Sequence, residues 1–164
     1  MDFLNRLGAR TIFSLIAATG FGLVGIGVLI GELMRINPCP LCIFQRVLYL
    51  AVAAVALAGA LLPGWRRLWG GLIAAIAAGG LATALYQSWM QLNPESVTQC
   101  GFGEPSLIER FVDWLGMLWP YLFMATGFCT SREDILGLSM ANWSVFCFAG
   151  FLLVGVWAGW RRQA

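Results

Sequence analysis

Charged residues divide the chain into long uncharged intervals: Thr11 to Gly31, Val47 to Trp65, Leu68 to Pro94 and Ile135 to Trp160. A helix rises about 1.5 Å per residue, so crossing a hydrocarbon layer of about 30 Å takes about 20 residues, and each interval is long enough for one crossing. The pattern predicts an all-α membrane protein, a single integral domain over residues 1–164, with four spans near 12–30, 45–62, 68–88 and 143–160. Loops at 31–44 and 89–142 then share one side of the membrane. Arg6 and Arg10 precede the first apolar run as they would in a secretory signal. That run is longer than a signal's usual ~7 to 15 residues and no convincing small-x-small cleavage site precedes Glu32, so a retained anchor is expected.

Within the longer loop, Leu107, Ile108, Phe111, Leu115, Leu118 and Trp119 recur at helical spacing, while Glu109, Arg110 and Asp113 take the other face. This spacing predicts a short amphipathic helix, lying on the membrane surface with its apolar side in the headgroup boundary or packed on the bundle. The chain shows no internal repeat and no second soluble domain.

The arginines set the orientation, because cytoplasmic flanks retain basic residues. Arg6 and Arg10 precede the first span, Arg66 and Arg67 follow the Pro63-Gly64-Trp65 turn, and Arg161 and Arg162 follow the last span, so all six fall on one side. Both termini are then expected in the cytoplasm. The loops 31–44 and 89–142 face out, and seven of the eight acidic residues lie in or beside them.

Composition narrows the chemistry. The chain is 60% hydrophobic and only 11% charged, which suits a bilayer rather than water. Its ten basic residues are all Arg and are scattered, so the basic stripe that neutralises nucleic-acid phosphates is missing. There is no His, which removes Ser-His and Cys-His nucleophile pairs and every His-containing metal site. What is left is mostly the chemistry of five cysteines.

Four of them, Cys39, Cys42, Cys100 and Cys129, map to the two outer loops, and Cys147 falls inside the fourth span. Cys39-Pro40-Leu41-Cys42 is a C-x-x-C, which closes too small a loop to restrain much chain entropy yet has the spacing of redox-active dithiols. Cys42 stands where the second span begins, so helix N–H groups and the dipole favour its thiolate over its thiol. Arg46 follows on the same helix face at i+4. A guanidinium there, without an obvious carboxylate neighbour, is a candidate for stabilising both that thiolate and a reduced acceptor, against the plainer reading of an arginine that snorkels to the headgroups. Cys100 and Cys129 flank the surface helix, and a disulfide between them either ties down the excursion or takes part in exchange. Cys147, between Phe146 and Phe148, reads as a small packed hydrophobe.

The run Pro38-Cys39-Pro40-Leu41-Cys42-Ile43-Phe44-Gln45-Arg46, four spans with both ends inside, the later Cys100 and Cys129, and Leu136-Gly137-Leu138-Ser139-Met140-Ala141-Asn142-Trp143 together resemble the DsbB family of disulfide bond formation proteins over nearly the whole chain. The resemblance implies a thiol:quinone oxidoreductase of the bacterial inner membrane that reoxidises a periplasmic thioredoxin-fold oxidase, DsbA, and passes the electrons to ubiquinone or menaquinone. It implies Cys39–Cys42 as the disulfide near the quinone, Cys100–Cys129 as the disulfide facing DsbA, and Arg46 beside the quinone ring. One departure is that, where a family member can carry a histidine near the outer end of the third span, this chain has Gln87 or its neighbours. Three other readings fit less well: a stapled membrane scaffold, a metal-transport C-P-x-C lacking His and spare Cys, and a vitamin K epoxide reductase type enzyme with a different motif order.

Overall fold

A computed structural model describes residues 8–93, 106–130, 134–135 and 137–160. Helices α1 (Ala9–Met34), α2 (Pro40–Leu61) and α3 (Arg66–Leu92) are followed by two shorter ones, α4 (Leu107–Leu118) and α5 (Pro120–Phe123), and by α6 (Met140–Trp160). Among these, α1, α2, α3 and α6 are long and apolar enough to cross a membrane.

All four expected spans are present, and most extend beyond the predicted cores. The uncharged interval underestimates a helix that continues into the headgroup layer, where Glu32 at one end of α1 and Arg66 and Arg67 at the start of α3 are tolerated. The start of α2 differs most from expectation, at residue 40 rather than 45. Pro40 occupies the first helical position, where its missing N–H and fixed φ cost nothing, and the Cys39 sulfur caps the helix by accepting from the Cys42 N–H at 3.3 Å. Cys42 therefore sits in the first turn of a membrane helix. A 3-10 turn, Pro63–Trp65, links α2 to α3, and the Trp69 indole N–H closes it on the Leu62 carbonyl at 2.9 Å.

Helices α3 and α6 make the most extensive pairing, followed by α1 with α2 and α2 with α3. The α3–α6 contact is one of backbones: a Cβ added to Gly70 would lie 2.6 Å from the Gly159 Cα and 2.8 Å from the Gly155 carbonyl oxygen. Gly155 and Gly159 are four apart and share a helix face, the small-xxx-small arrangement that lets membrane helices gain dispersion contact when no hydrophobic effect drives them together. Gly20 plays the same part on α1, against Ala53 and the Tyr49 carbonyl of α2. Phe13, Val52, Ile73 and Phe148 fill the centre, whereas Leu15, Leu29, Leu57, Leu72, Phe146 and Leu153 point outward. So much exposed apolar surface is what a bundle dissolved in lipid presents.

Ser106 and Glu109 start α4 with reciprocal bonds, the Ser106 N–H donating to the Glu109 carboxylate at 2.7 Å and the Glu109 N–H to the Ser106 hydroxyl at 3.3 Å. The apolar stripe expected on this helix is split in two. Val112 and Gly116 are buried, with Ile108 and Leu115 partly so, against α2 and α5; Leu107, Trp114, Met117 and Leu118 stand exposed on another side. The helix thus both packs on the bundle and offers an apolar face outward, which suits a position at the membrane boundary. Before α6, Asp134–Ile135 pairs antiparallel with Leu138–Ser139, with Gly137 at φ +82° in the turn, a conformation that favours glycine.

Candidate functional site

The start of α2, the end of α3 and the segment after α5 converge on a small group of sulfur atoms. Cys39 and Cys129 are buried together with Leu41 and Met90, and Cys42 and Ile108 pack against them. Cys129 is brought there by backbone. The Thr126 and Gly127 N–H groups both donate to the Pro38 carbonyl, at 3.0 and 3.1 Å, and the Thr126 hydroxyl donates to the Asn37 side-chain oxygen at 3.3 Å. Any Cβ at Gly127 would run into the Asn37 carbonyl, so only glycine permits this approach. One residue beyond Pro38 on one strand of this lacing is Cys39, and two beyond Gly127 on the other is Cys129.

Cys39 donates its S–H to the Cys42 sulfur at 2.9 Å. Hydrogen bonding to Cys129, then to Cys42, and then burial push the Cys39 thiol well above its ordinary range, so Cys39 holds its proton. Cys39 and Cys42, the pair that the resemblance implies as a disulfide, stand with their sulfurs in direct contact. Of the other implied pair, Cys129 lies beside Cys39, and Cys100 lies outside the described residues.

Three polar residues inside the apolar helices complete the group. Gln87 of α3 is buried and donates through Nε2 to both sulfurs, at 3.3 Å to Cys39 and 3.1 Å to Cys42. Its Oε1 accepts from Nε2 of the buried Gln45, on α2, at 2.8 Å. Arg46, four residues after Cys42, is half-buried and donates from Nη1 to the Leu122 carbonyl at 3.2 Å, fastening α5 to α2. Among the described residues no buried side-chain nitrogen or oxygen lacks a partner.

These groups border a cavity of about 290 Å³ between α1, α2, α3 and α6. Its walls are mainly apolar, from Leu23, Val24, Ile30 and Trp143, and Cys39, Cys42, Arg46 and Gln87 also line it. Tyr49, Ser144 and Cys147 line it too, with the Tyr49 hydroxyl in hydrogen-bonding reach of Ser144 and Cys147. The Tyr49 ring is stacked on Phe148, centroids 4.2 Å apart and planes within 3°. Cys147, expected as a packed hydrophobe, does pack against the core cluster, and it also lines the cavity. A second, more polar cleft lined by Glu32, Arg35 and Asn37 meets the first at Arg46, which lines both.

The structure thus brings Cys39, Cys42, Cys129 and Arg46 to one end of the bundle. Sequence reasoning missed Gln45, Tyr49 and Ser144, and noted Gln87 only as a departure. The available signal was an uncharged polar side chain inside an apolar span, which needs a partner in lipid.

Comparison with known proteins agrees with this arrangement of thiols at a membrane surface. The family model described as "Disulfide bond formation protein DsbB" matches residues 9–158. The chain is 48% identical over 153 residues to the disulfide bond formation protein B of Dechloromonas aromatica (strain RCB), covering 93% of each chain. It is 35% identical over 159 residues to that of Azoarcus sp. (strain BH72), covering 94% of each, and 34% identical over 168 residues to that of Chromobacterium violaceum, covering 99% of this chain and 98% of the other. With a match spanning nearly every described helix and a dithiol cluster at one end of a four-helix membrane bundle, this chain belongs to the DsbB family of disulfide bond formation proteins.

Proposed function

We propose that this protein is a quinone-dependent dithiol oxidase of the bacterial inner membrane, which reoxidises a DsbA-type periplasmic oxidase and delivers the electrons to ubiquinone or menaquinone. The observation that carries the reading is the cavity: Cys39 and Cys42 both line an apolar chamber within the bundle, and Cys39 also touches Cys129. The thiol pair therefore stands between a partner-facing cysteine and a compartment suited to a lipophilic acceptor. The distribution of Arg10, Arg66 and Arg67 at the opposite end supports a cytoplasmic position for the termini and a periplasmic one for the thiols.

The residues present fit a quinone ring. Leu23, Val24 and Trp143 offer apolar walls, and Arg46 is the charged donor that would hold a ring oxygen. When bound, a quinone supplies the two-electron oxidising capacity that the thiol chemistry consumes.

On the protein side, the exchange sequence balances as follows. A thiolate of the reduced partner attacks a Cys100–Cys129 disulfide at Cys100 and releases Cys129. Cys129 attacks Cys39 of a Cys39–Cys42 disulfide; a Cys129–Cys39 bond forms, the Cys39–Cys42 bond breaks, and Cys42 leaves as a thiolate. The partner's second thiol then displaces Cys100, which attacks Cys129 and frees Cys39. The partner ends as a disulfide, and its two electrons rest on Cys39 and Cys42. Contact between Cys129 and Cys39 supports the second of these steps, and the Cys42 position beside Arg46 suits the leaving group.

The test is to mix purified protein with reduced DsbA-type partner and ubiquinone, following partner thiols and quinone absorbance together. One quinone reduced for each partner disulfide is expected. Partner oxidation with no loss of quinone would overturn the reading.

A further inference from the structure

Gln87 is the group in contact with both sulfurs of the C-x-x-C that the exchange chemistry leaves without a role. Its surroundings define which way its amide points. Cys39 keeps its proton and points the S–H at Cys42, so both sulfurs can turn lone pairs toward Gln87. Gln45 presents an N–H to the far side, so only the carbonyl end of Gln87 fits there. The amide nitrogen is turned to the two sulfurs and the oxygen to Gln45, which leaves the buried amide satisfied in one orientation.

We propose that Gln87 is a further catalytic group at the thiol pair, holding Cys39 and Cys42 through the N–H end of its amide, and that Gln45 is the positioning residue that keeps that end aimed at the sulfurs. The inference rests on reading Cys39–Cys42 as an exchanging pair. When the disulfide takes up two electrons and one proton, the S–S bond breaks and the products are a Cys39 thiol and a Cys42 thiolate. An N–H donor stabilises that product far more than the disulfide, whose sulfurs are weak acceptors. An amide has no proton to lose at ordinary pH and carries no charge, so it holds the released sulfur without the desolvation cost of a second buried ion. It also restrains the two sulfurs side by side, ready to close again.

The direction of the amide makes the inference testable apart from quinone. In full-length protein carrying Cys100→Ala, Cys129→Ala and Cys147→Ala, only the Cys39–Cys42 pair equilibrates with dithiothreitol buffers. The fraction reduced is read by alkylation and mass. Gln87→Met keeps length and apolar fit but has no donors, and should lower the equilibrium constant for reduction about tenfold, the order of one hydrogen bond to a charged group. For this two-electron couple that is about 30 mV toward more negative potential. Gln45→Met touches neither sulfur, yet it removes the N–H that holds the Gln87 oxygen, so the Gln87 amide is free to turn and present its oxygen to the sulfurs. A comparable loss is expected. Adding Gln87→His to the background, which restores a ring N–H, should recover part of the constant lost in Gln87→Met.

If Gln87→Met equilibrates within twofold of the parent, the amide is packing and the proposal fails. If Gln87→Met loses tenfold but Gln45→Met does not, Gln45 has no positioning role and that half of the proposal fails. Because no quinone is present, a parent that equilibrates normally and yet cannot reduce quinone overturns the functional reading and leaves the amide assignment standing.

Discussion

The two ends of the α3–α6 pair follow opposite rules. At the end carrying Arg66 and Arg67, Gly70 meets Gly155 and Gly159 so closely that no side chain intervenes. At the other end, Gln87 turns to sulfur, Ser88 donates to the Asn142 side-chain oxygen at 2.9 Å, and a cavity opens beside them. Between the two, Gly80 faces the Phe148 ring, leaving the space in which that ring stacks on Tyr49. Dispersion between backbones holds the first end, and a few directed hydrogen bonds hold the second. The difference shows how a small bundle combines rigidity with a chamber: one end is closed backbone against backbone, and the end that gathers the thiols is left polar and open.

The sharpest way to break that comparison is Gly70→Val. A branched side chain has no room against the Gly155–Gly159 face, and the expected penalty is at or above the top of the ~1–3 kcal/mol range for overpacking. Thermal unfolding in detergent should show a much lowered transition or no folded protein. A Gly70→Val protein as stable as the parent would mean that the backbone contact does not hold the bundle.

Gly127→Ala tests the second end through its lacing. The added methyl collides with the Asn37 carbonyl and should cost about 1–3 kcal/mol in the local contact, parting Cys129 from Cys39. Cys129 is 1% exposed, and its alkylation should accelerate by about tenfold while helix content stays constant. Unchanged alkylation would show that Cys129 is held by something other than the Pro38 carbonyl.

Arg46 has two expected losses. Arg46→Ala removes the bond to the Leu122 carbonyl and a charged donor on the cavity wall, and the apparent KM for ubiquinone should rise about tenfold. Arg46→Lys keeps charge without the planar fork and should fall between Ala and the parent. Stopped-flow exchange between the partner and the Cys100–Cys129 pair should change little in either variant. Unaltered quinone kinetics in Arg46→Ala would reduce the arginine to a tether for α5.

The smallest effect belongs to Ser88→Ala. It deletes one hydrogen bond at the open end of α3–α6, for about 1 kcal/mol. Measured beside Gly70→Val, it should give a far smaller drop in unfolding temperature. Equal drops would erase the distinction between the two ends.

Four spans were legible in the sequence because the bilayer imposes one condition on every residue of a crossing, and uncharged stretches of about 20 residues satisfy it locally. The C-x-x-C was legible for the same reason: its two thiols are one helical turn apart whatever the rest of the chain does. Arg46 followed from Cys42 by helical spacing alone. The stripe on α4 was visible, but that Ile108 and Leu115 would pack inward beside Val112 and Gly116 while Leu107 and Leu118 stayed exposed was not, since periodicity does not say which neighbour a face meets.

Tertiary structure alone decided the contacts between distant positions. Gln45 and Gln87 are 42 residues apart, and Asn37 and Thr126 are 89 apart. A glutamine within an apolar helix leaves the hydropathy pattern almost unchanged, so nothing local marks its partner. In lipid, however, its amide must be satisfied by whatever the packing brings within 3 Å or so. Glycine is equally silent: Gly70 and Gly127 differ from other glycines only in what stands opposite them. Sequence determined which segments are apolar enough to enter the membrane and which thiols are spaced as a C-x-x-C. Their juxtaposition, with Cys129 against Cys39 and Gln87 across both sulfurs, arises from helix packing and loop lacing, and those forces act between residues that have no common pattern along the chain.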